Sequence, residues 1–167
     1  MNSIITGHSI RFILLVLFQV ILFNHVNFLG YINPYVYIIF ILFFPIKNNR
    51  ILFIFLSFLI GLTVDMLSDS GGIHAAASVF IAYARPVFLK FAFGTMYEHN
   101  NVKFNNTEFG ARLVYISLLT LLHLTILFSL EIFSFSRILI VFQKTLFSGI
   151  FTILMITLLS IIFSRKS

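Results

Sequence analysis

Long apolar runs separated by short polar breaks fill almost the whole chain. A membrane-spanning helix needs roughly 20 mostly apolar residues, with about 17–25 as the usual range. Runs that meet or approach this length cover residues 12–29, 51–67, 73–86, 113–130 and 138–163. The run at 31–46 is shorter. Parity counts it as a span too, because otherwise the basic loops fall on both sides of the bilayer. The expected fold is therefore all-α, a polytopic six-helix membrane bundle forming one domain over residues 1–167.

Spacing along the runs turns into faces. On the third run Ser57, Gly61, Asp65 and Ser68 follow at i, i+4, i+8 and i+11, an arc of about 80° on a helix. On the fourth, His74, Ala75, Ser78, Ala82 and Arg85 fall within about 100° by the same geometry. Small residues let helix backbones approach closely in lipid, where packing replaces the hydrophobic effect as the drive for association. The two stripes are expected to pack on each other or on a shared neighbour. A ligand cavity or a partner groove is the alternative use of the same faces.

Between these runs, Asp69-Ser70-Gly71-Gly72 reads as a turn. Glycine supplies positive φ at Gly71 and Gly72, and Asp and Ser bond to nearby amides, so Asp69 is expected to cap the turn. Asp65 lies up to two turns inside it and needs a partner at that depth. Arg85 is about 18 Å below Ile73 by helical rise, too deep to answer it. Lys144 lies roughly 9 Å below the start of the last run and begins its own stripe with Ser148 and Thr152. An Asp65–Lys144 pair inside the bundle is one expectation; snorkelling of both groups to the interface is the other. Arg85-Pro86 is expected to end or kink the fourth helix, since proline removes a helical hydrogen bond and disfavours a helical residue before it. Arg85 and Lys90 would then reach lipid phosphates from the inner interface. His123, near mid-span of the fifth run with Thr120 one turn away, reads as a hydrogen-bonded bundle residue rather than a proton carrier, while Asn24, His25 and Asn27 mark the outer end of the first helix.

Composition supports the membrane reading. Hydrophobic residues make up 60% of the chain and charged ones 10%, with a mean hydropathy of +1.07; a soluble core of this size cannot hide that much apolar surface. The net charge of +6 is scattered as single basic residues rather than a stripe, which points to the membrane surface and not to nucleic acid. With the N-terminus inside, Arg11, Lys47, Arg50, Lys90, Lys103, Arg112, Arg165 and Lys166 are cytoplasmic, against Arg137 and Lys144 outside. That is a positive-inside bias with both termini cytoplasmic. The N-terminal run is too long for a cleavable signal peptide and lacks a small-residue cleavage site. There is no cysteine, so thiolate metal sites and cysteine nucleophiles are excluded.

No nucleophile elbow, zinc helix, P-loop or dinucleotide fingerprint is present. The expectation is a protein that is not an enzyme, with no catalytic residues, no metal and no cofactor. Residues 33–90, and above all GLTVDMLSDSGGIHAAASVFIAYARP from Gly61 to Pro86, resemble the MreD family of bacterial rod-shape-determining proteins. Gly61, Asp65, Ser68, Asp69, Gly72 and the small residues after His74 carry the likeness. Beyond this core only length, six-span topology and short termini agree.

The resemblance implies a fold similar to the substrate-binding subunits of energy-coupling-factor vitamin transporters. It also implies a multi-pass protein of the bacterial inner (cytoplasmic) membrane that works in cell elongation. Implied partners are an MreC-like membrane protein, the RodA–transpeptidase wall synthase and MreB, in contact with membrane lipid and not nucleic acid. Gly61, Asp65, Asp69, Gly71, Gly72, His74, Ser78, Arg85, Pro86 and Lys144 are the structural or partner-facing candidates. A different expectation is a small-molecule-binding transporter subunit, with a polar outer cavity lined by the third, fourth and sixth helices. A lipid or wall-precursor flippase has less to recommend it, since one or two buried charges make a poor pathway.

Overall fold

The computed structural model describes residues 2–23, 32–46, 49–98, 104 and 107–164. Among these the chain is helical, with no β-sheet. Helix α1 covers Asn2–Leu17 and continues as a π-helical turn, Phe18–Leu22. A 3₁₀ turn, Val36–Ile38, leads into α2, Ile39–Leu42. Then follow α3, Arg50–Ser68, α4, Ile73–Phe93, and the single turn α5, Thr95–Glu98. Helices α6, Phe109–Ile132, and α7, Ile138–Ser164, complete the fold. Residues Asn24, His25, Asn27, Lys47, Lys103, Arg165 and Lys166 lie outside the described set.

Four helices are long and apolar enough to cross a membrane: Arg50–Ser68, Ile73–Phe93, Phe109–Ile132 and Phe135–Ile162. The first apolar helix is shorter, Ile10–Leu22. Helix α4 packs against both α3 and α6, and α6 carries α7 on its other side. Side chains such as Leu139, Phe142, Ile150, Leu154 and Leu158 leave the outer face of α7 broadly exposed. A long apolar face of this kind is solvated by hydrocarbon, so this is a helical membrane protein.

Two boundaries differ from the sequence reading. The fourth span does not stop at Pro86; α4 continues to Phe93 and closes at Gly94 (φ 49°), whose N–H donates to the Lys90 carbonyl at 2.9 Å. Leu89 and Phe93, beyond the proline, are buried in the core, and this packing holds the helix through the missing hydrogen bond. The second span is not a helix across its length. Only Val36–Leu42 is helical, about 10 Å at 1.5 Å per residue, with extended or turn-like chain on either side. This short piece is deeply enclosed: Tyr37, Ile38, Ile41 and Leu42 are completely buried.

The bundle has two chemically distinct ends. Asp65, the Gly71–Gly72 turn and the Glu131–Lys144 pair gather at the hairpin end. At the opposite end Phe93 and Phe104 pack on the Tyr115 ring, Arg50 donates to the Tyr83 carbonyl and Arg112 to the Phe104 carbonyl.

Candidate functional site

Helix α3 ends because Asp69 turns left-handed (φ 51°), and Gly71 and Gly72 keep positive φ (69° and 94°) so that α4 can start at once. A new helix then presents amides with no partner in its own first turn. Asp65 supplies what they lack. Its Oδ1 accepts from the His74 amide (3.0 Å) and the Ser70 hydroxyl (2.6 Å), and its Oδ2 from the Ala75 amide (2.8 Å). A carboxylate reaching from the last turns of one helix thus caps the next, with the positive end of the α4 dipole adding to the attraction.

The proposed Asp65–Lys144 pair is not formed. Asp65 is 4% exposed with both oxygens engaged in the hairpin, and Lys144 bonds to Glu131 at 2.8 Å while lying over the Phe128 ring. Helix caps satisfy the carboxylate where the sequence suggested a charge. We expect Asp65→Ala to cost about 2 kcal/mol, the loss of a buried charged cap, whereas Lys144→Met costs less than about 1 kcal/mol, as a partly exposed ion pair should. Unfolding in mild detergent measures both, and an equal cost would show that the cap is not what matters at Asp65.

The buried Val36–Leu42 piece is capped entirely by side chains from elsewhere. At its start, Gln19 on the π-turn accepts from the Val36 and Tyr37 amides through Oε1 (2.7 and 3.3 Å) and donates to the Pro34 carbonyl (3.1 Å). Thr152 Oγ1 of α7 accepts from the Tyr35 amide at 3.0 Å. At its end, Arg85 donates to the carbonyls of Leu42 (3.1 Å) and Phe44 (2.5 Å), and through Nε to the Tyr115 hydroxyl (2.9 Å). Tyr115 in turn donates to Leu42 at 2.9 Å. Arg85 therefore does not reach lipid phosphates. It is 3% exposed, with its guanidinium over the Phe53 ring. Carbonyls that end a helix inside a bundle need donors, and an arginine offers several in a fixed fork.

Between these two anchors lies a polar cluster. The Tyr37 hydroxyl bridges His74 Nδ1 (3.0 Å) and His123 Nε2 (2.8 Å). With a single hydrogen it donates to one imidazole and accepts from the other, so one tyrosine couples the tautomers of both rings. Ser78 is fully buried beside Tyr37. Its neighbour in sequence space, Ala75, lies against Gly61: a Cβ on Gly61 would stand 2.6 Å from Ala75 Cα and from the His74 carbonyl. The small-residue seam expected between the third and fourth spans is present, and Gly61 is its closest point.

An open cleft of about 960 Å³ occupies the hairpin end. Tyr35, Asp69, Ser70, His74 and Glu131 supply its polar wall, and Val20, Met66, Leu127 and Leu130 its apolar one. The sequence expectation of a cavity lined by the third, fourth and sixth helices is corrected: among the described residues the walls come from α3, α4 and α6, the fifth predicted span, together with Val20 of the π-turn and Asn33 and Tyr35 of the second segment, while α7 only places Lys144 against Glu131.

Sequence reasoning placed His74, Ser78 and Thr152 on inward faces, put Arg85 in the fourth-helix stripe but sent its guanidinium to the interface, and missed Gln19, Tyr37 and Tyr115. Gln19 had a visible signal, a single amide inside LLVLFQVILF; the tyrosines had none beyond their hydroxyls. Among the described residues no group of acidic, histidine or cysteine side chains is arranged to hold a metal ion. No family model matches the chain, and neither a curated protein nor a solved structure matches it.

Proposed function

We propose that this chain is a non-enzymatic component of the bacterial cell-elongation machinery in the inner membrane. On this reading it is similar to MreD, binds an MreC-like partner and helps position lateral peptidoglycan synthesis. The six-span topology with both termini cytoplasmic, and the likeness to vitamin-transporter binding subunits, belong to the same proposal. One observation supports it most: the residues that carry the resemblance are used to build a hairpin, not to react. Gly61 makes room for α4, Asp65 caps it and Gly72 turns into it. A carboxylate with both oxygens committed to caps is a construction element, as a docking body requires.

Depletion in a rod-shaped bacterium is expected to give rounded cells, and a photo-crosslinker at Met66, exposed on the hairpin end of α3, is expected to capture an MreC-like protein. Normal elongation after clean deletion removes this reading. A second reading, a small-molecule-binding transporter subunit, has the cleft in its favour. Capture of a transporter coupling subunit by the same crosslinker would favour it instead.

A further inference from the structure

We infer that the cleft at the hairpin end binds a small organic cation with an apolar body. This does not depend on the elongation reading. Among the described residues the cleft is lined by two carboxylates, Asp69 and Glu131, and by no lysine or arginine. Lys144 bonds to Oε1 of Glu131 alone and leaves its other oxygen without a partner among the described residues. With Lys144 set against Glu131, Asp69 still leaves the cleft net negative, and a charged cleft on low-dielectric walls concentrates ions of the opposite sign.

Two buried side chains at the same place lack a ligand-side partner. Tyr35 is 9% exposed and lines the cleft, with its amide on Thr152 and its ring against His74 and Phe128, yet its hydroxyl takes no hydrogen bond among the described residues. His74 is 6% exposed and also lines it; Nδ1 is turned inward to Tyr37, and Nε2 takes no bond among the described residues. Neither atom is sealed from solvent, so both can be reached from the cleft that their residues line. Tyr35 and His74 line the same cleft as the Asp69 and Glu131 carboxylates. On this inference the ammonium group is drawn to the Asp69 and Glu131 carboxylates and the Tyr35 oxygen, and the apolar body to Leu127 and Leu130, all of which line the one cleft. The volume is at the upper end of the usual range for small-molecule pockets, about 300–1,000 Å³.

The test uses the purified full chain in mild detergent with dansylcadaverine, a primary ammonium on an apolar dye, and N-dansylglycine as its anionic counterpart. The chain has no tryptophan to interfere. We expect a saturable fluorescence rise with the amine above that of empty micelles, and none with the anion. In the Asp69→Asn, Glu131→Gln double variant the amine should bind about tenfold more weakly, since a charge-assisted contact is lost. Tyr35→Phe should weaken it by a smaller factor. Asparagine tolerates the left-handed position at 69, so Asp69→Asn alone supplies the reading if the double variant does not fold, and severalfold weakening is then expected. Equal affinity of folded variants, equal binding of the anionic dye, or no saturable component would each overturn the inference.

Discussion

Gly61→Ala is expected to destabilise the protein by about 2 kcal/mol or more, the upper part of the range for forcing a methyl group into a filled core. The added Cβ would stand 2.6 Å from both Ala75 Cα and the His74 carbonyl oxygen, and 2.8 Å from the Ala75 nitrogen. All three atoms are backbone, so no side chain can swing aside; α3 and α4 must separate. Separation also pulls the Asp65 carboxylate, one turn along α3, away from the His74 and Ala75 amides it caps. One methyl group therefore disturbs packing and capping together. Gly149→Ala is the control. Its Cβ would meet the end of the Leu121 side chain at 3.0 Å, a contact a rotamer change can relieve. Unfolding in detergent should separate the two variants by more than about 1 kcal/mol. Equal costs would mean that the approach at Gly61 is not tight in the protein.

The contrast explains what could be read from the chain. A stripe such as Ser57-Gly61-Asp65 is a local signal, because helix geometry alone puts its members on one face. Hydropathy likewise located α3, α6 and α7 closely, since each is a continuous apolar run. The second segment defeated both signals. Residues 31–46 are apolar in composition, but the backbone there is helical only over Val36–Leu42. Its partners, Gln19, Thr152, Arg85 and Tyr115, are 15 to 117 residues away in sequence. No window detects such capping. Arg85 was misplaced for the same reason: an arginine beside a proline looks like the end of a helix, unless one knows that bare carbonyls from another segment lie beside it. Asp65 was correctly seen as needing a partner, and the partner proved to be backbone amides rather than a charge.

The second large effect is expected at Arg85. Replacing it with leucine keeps an apolar volume in the core but removes donors from the Leu42 and Phe44 carbonyls and from the Tyr115 hydroxyl. Leu42 retains the Tyr115 bond; Phe44 loses the donor that Arg85 supplied. A hydrogen bond from a charged donor contributes about 1.5–3 kcal/mol, and losing the three that Arg85 makes is expected to cost about 3 kcal/mol in all. Arg85→Lys should recover part of this and not all. An ammonium can bond to one or two carbonyls, but it lacks the fork that spans Leu42, Phe44 and Tyr115, and it stacks less well over Phe53. The expected order of stability is therefore wild type, then lysine, then leucine, with Tyr115→Phe causing a smaller loss than leucine at 85. The interfacial alternative predicts a different order. If Arg85 reached lipid phosphates, lysine would serve as well as arginine, Tyr115→Phe would not matter, and the effect would change with the anionic lipid content of a nanodisc. Unfolding of the four proteins in nanodiscs with and without anionic lipid separates the two. A lipid-independent ranking with lysine intermediate identifies the arginine as the cap of the broken segment, the part that fixes where Tyr37 and its two histidines lie.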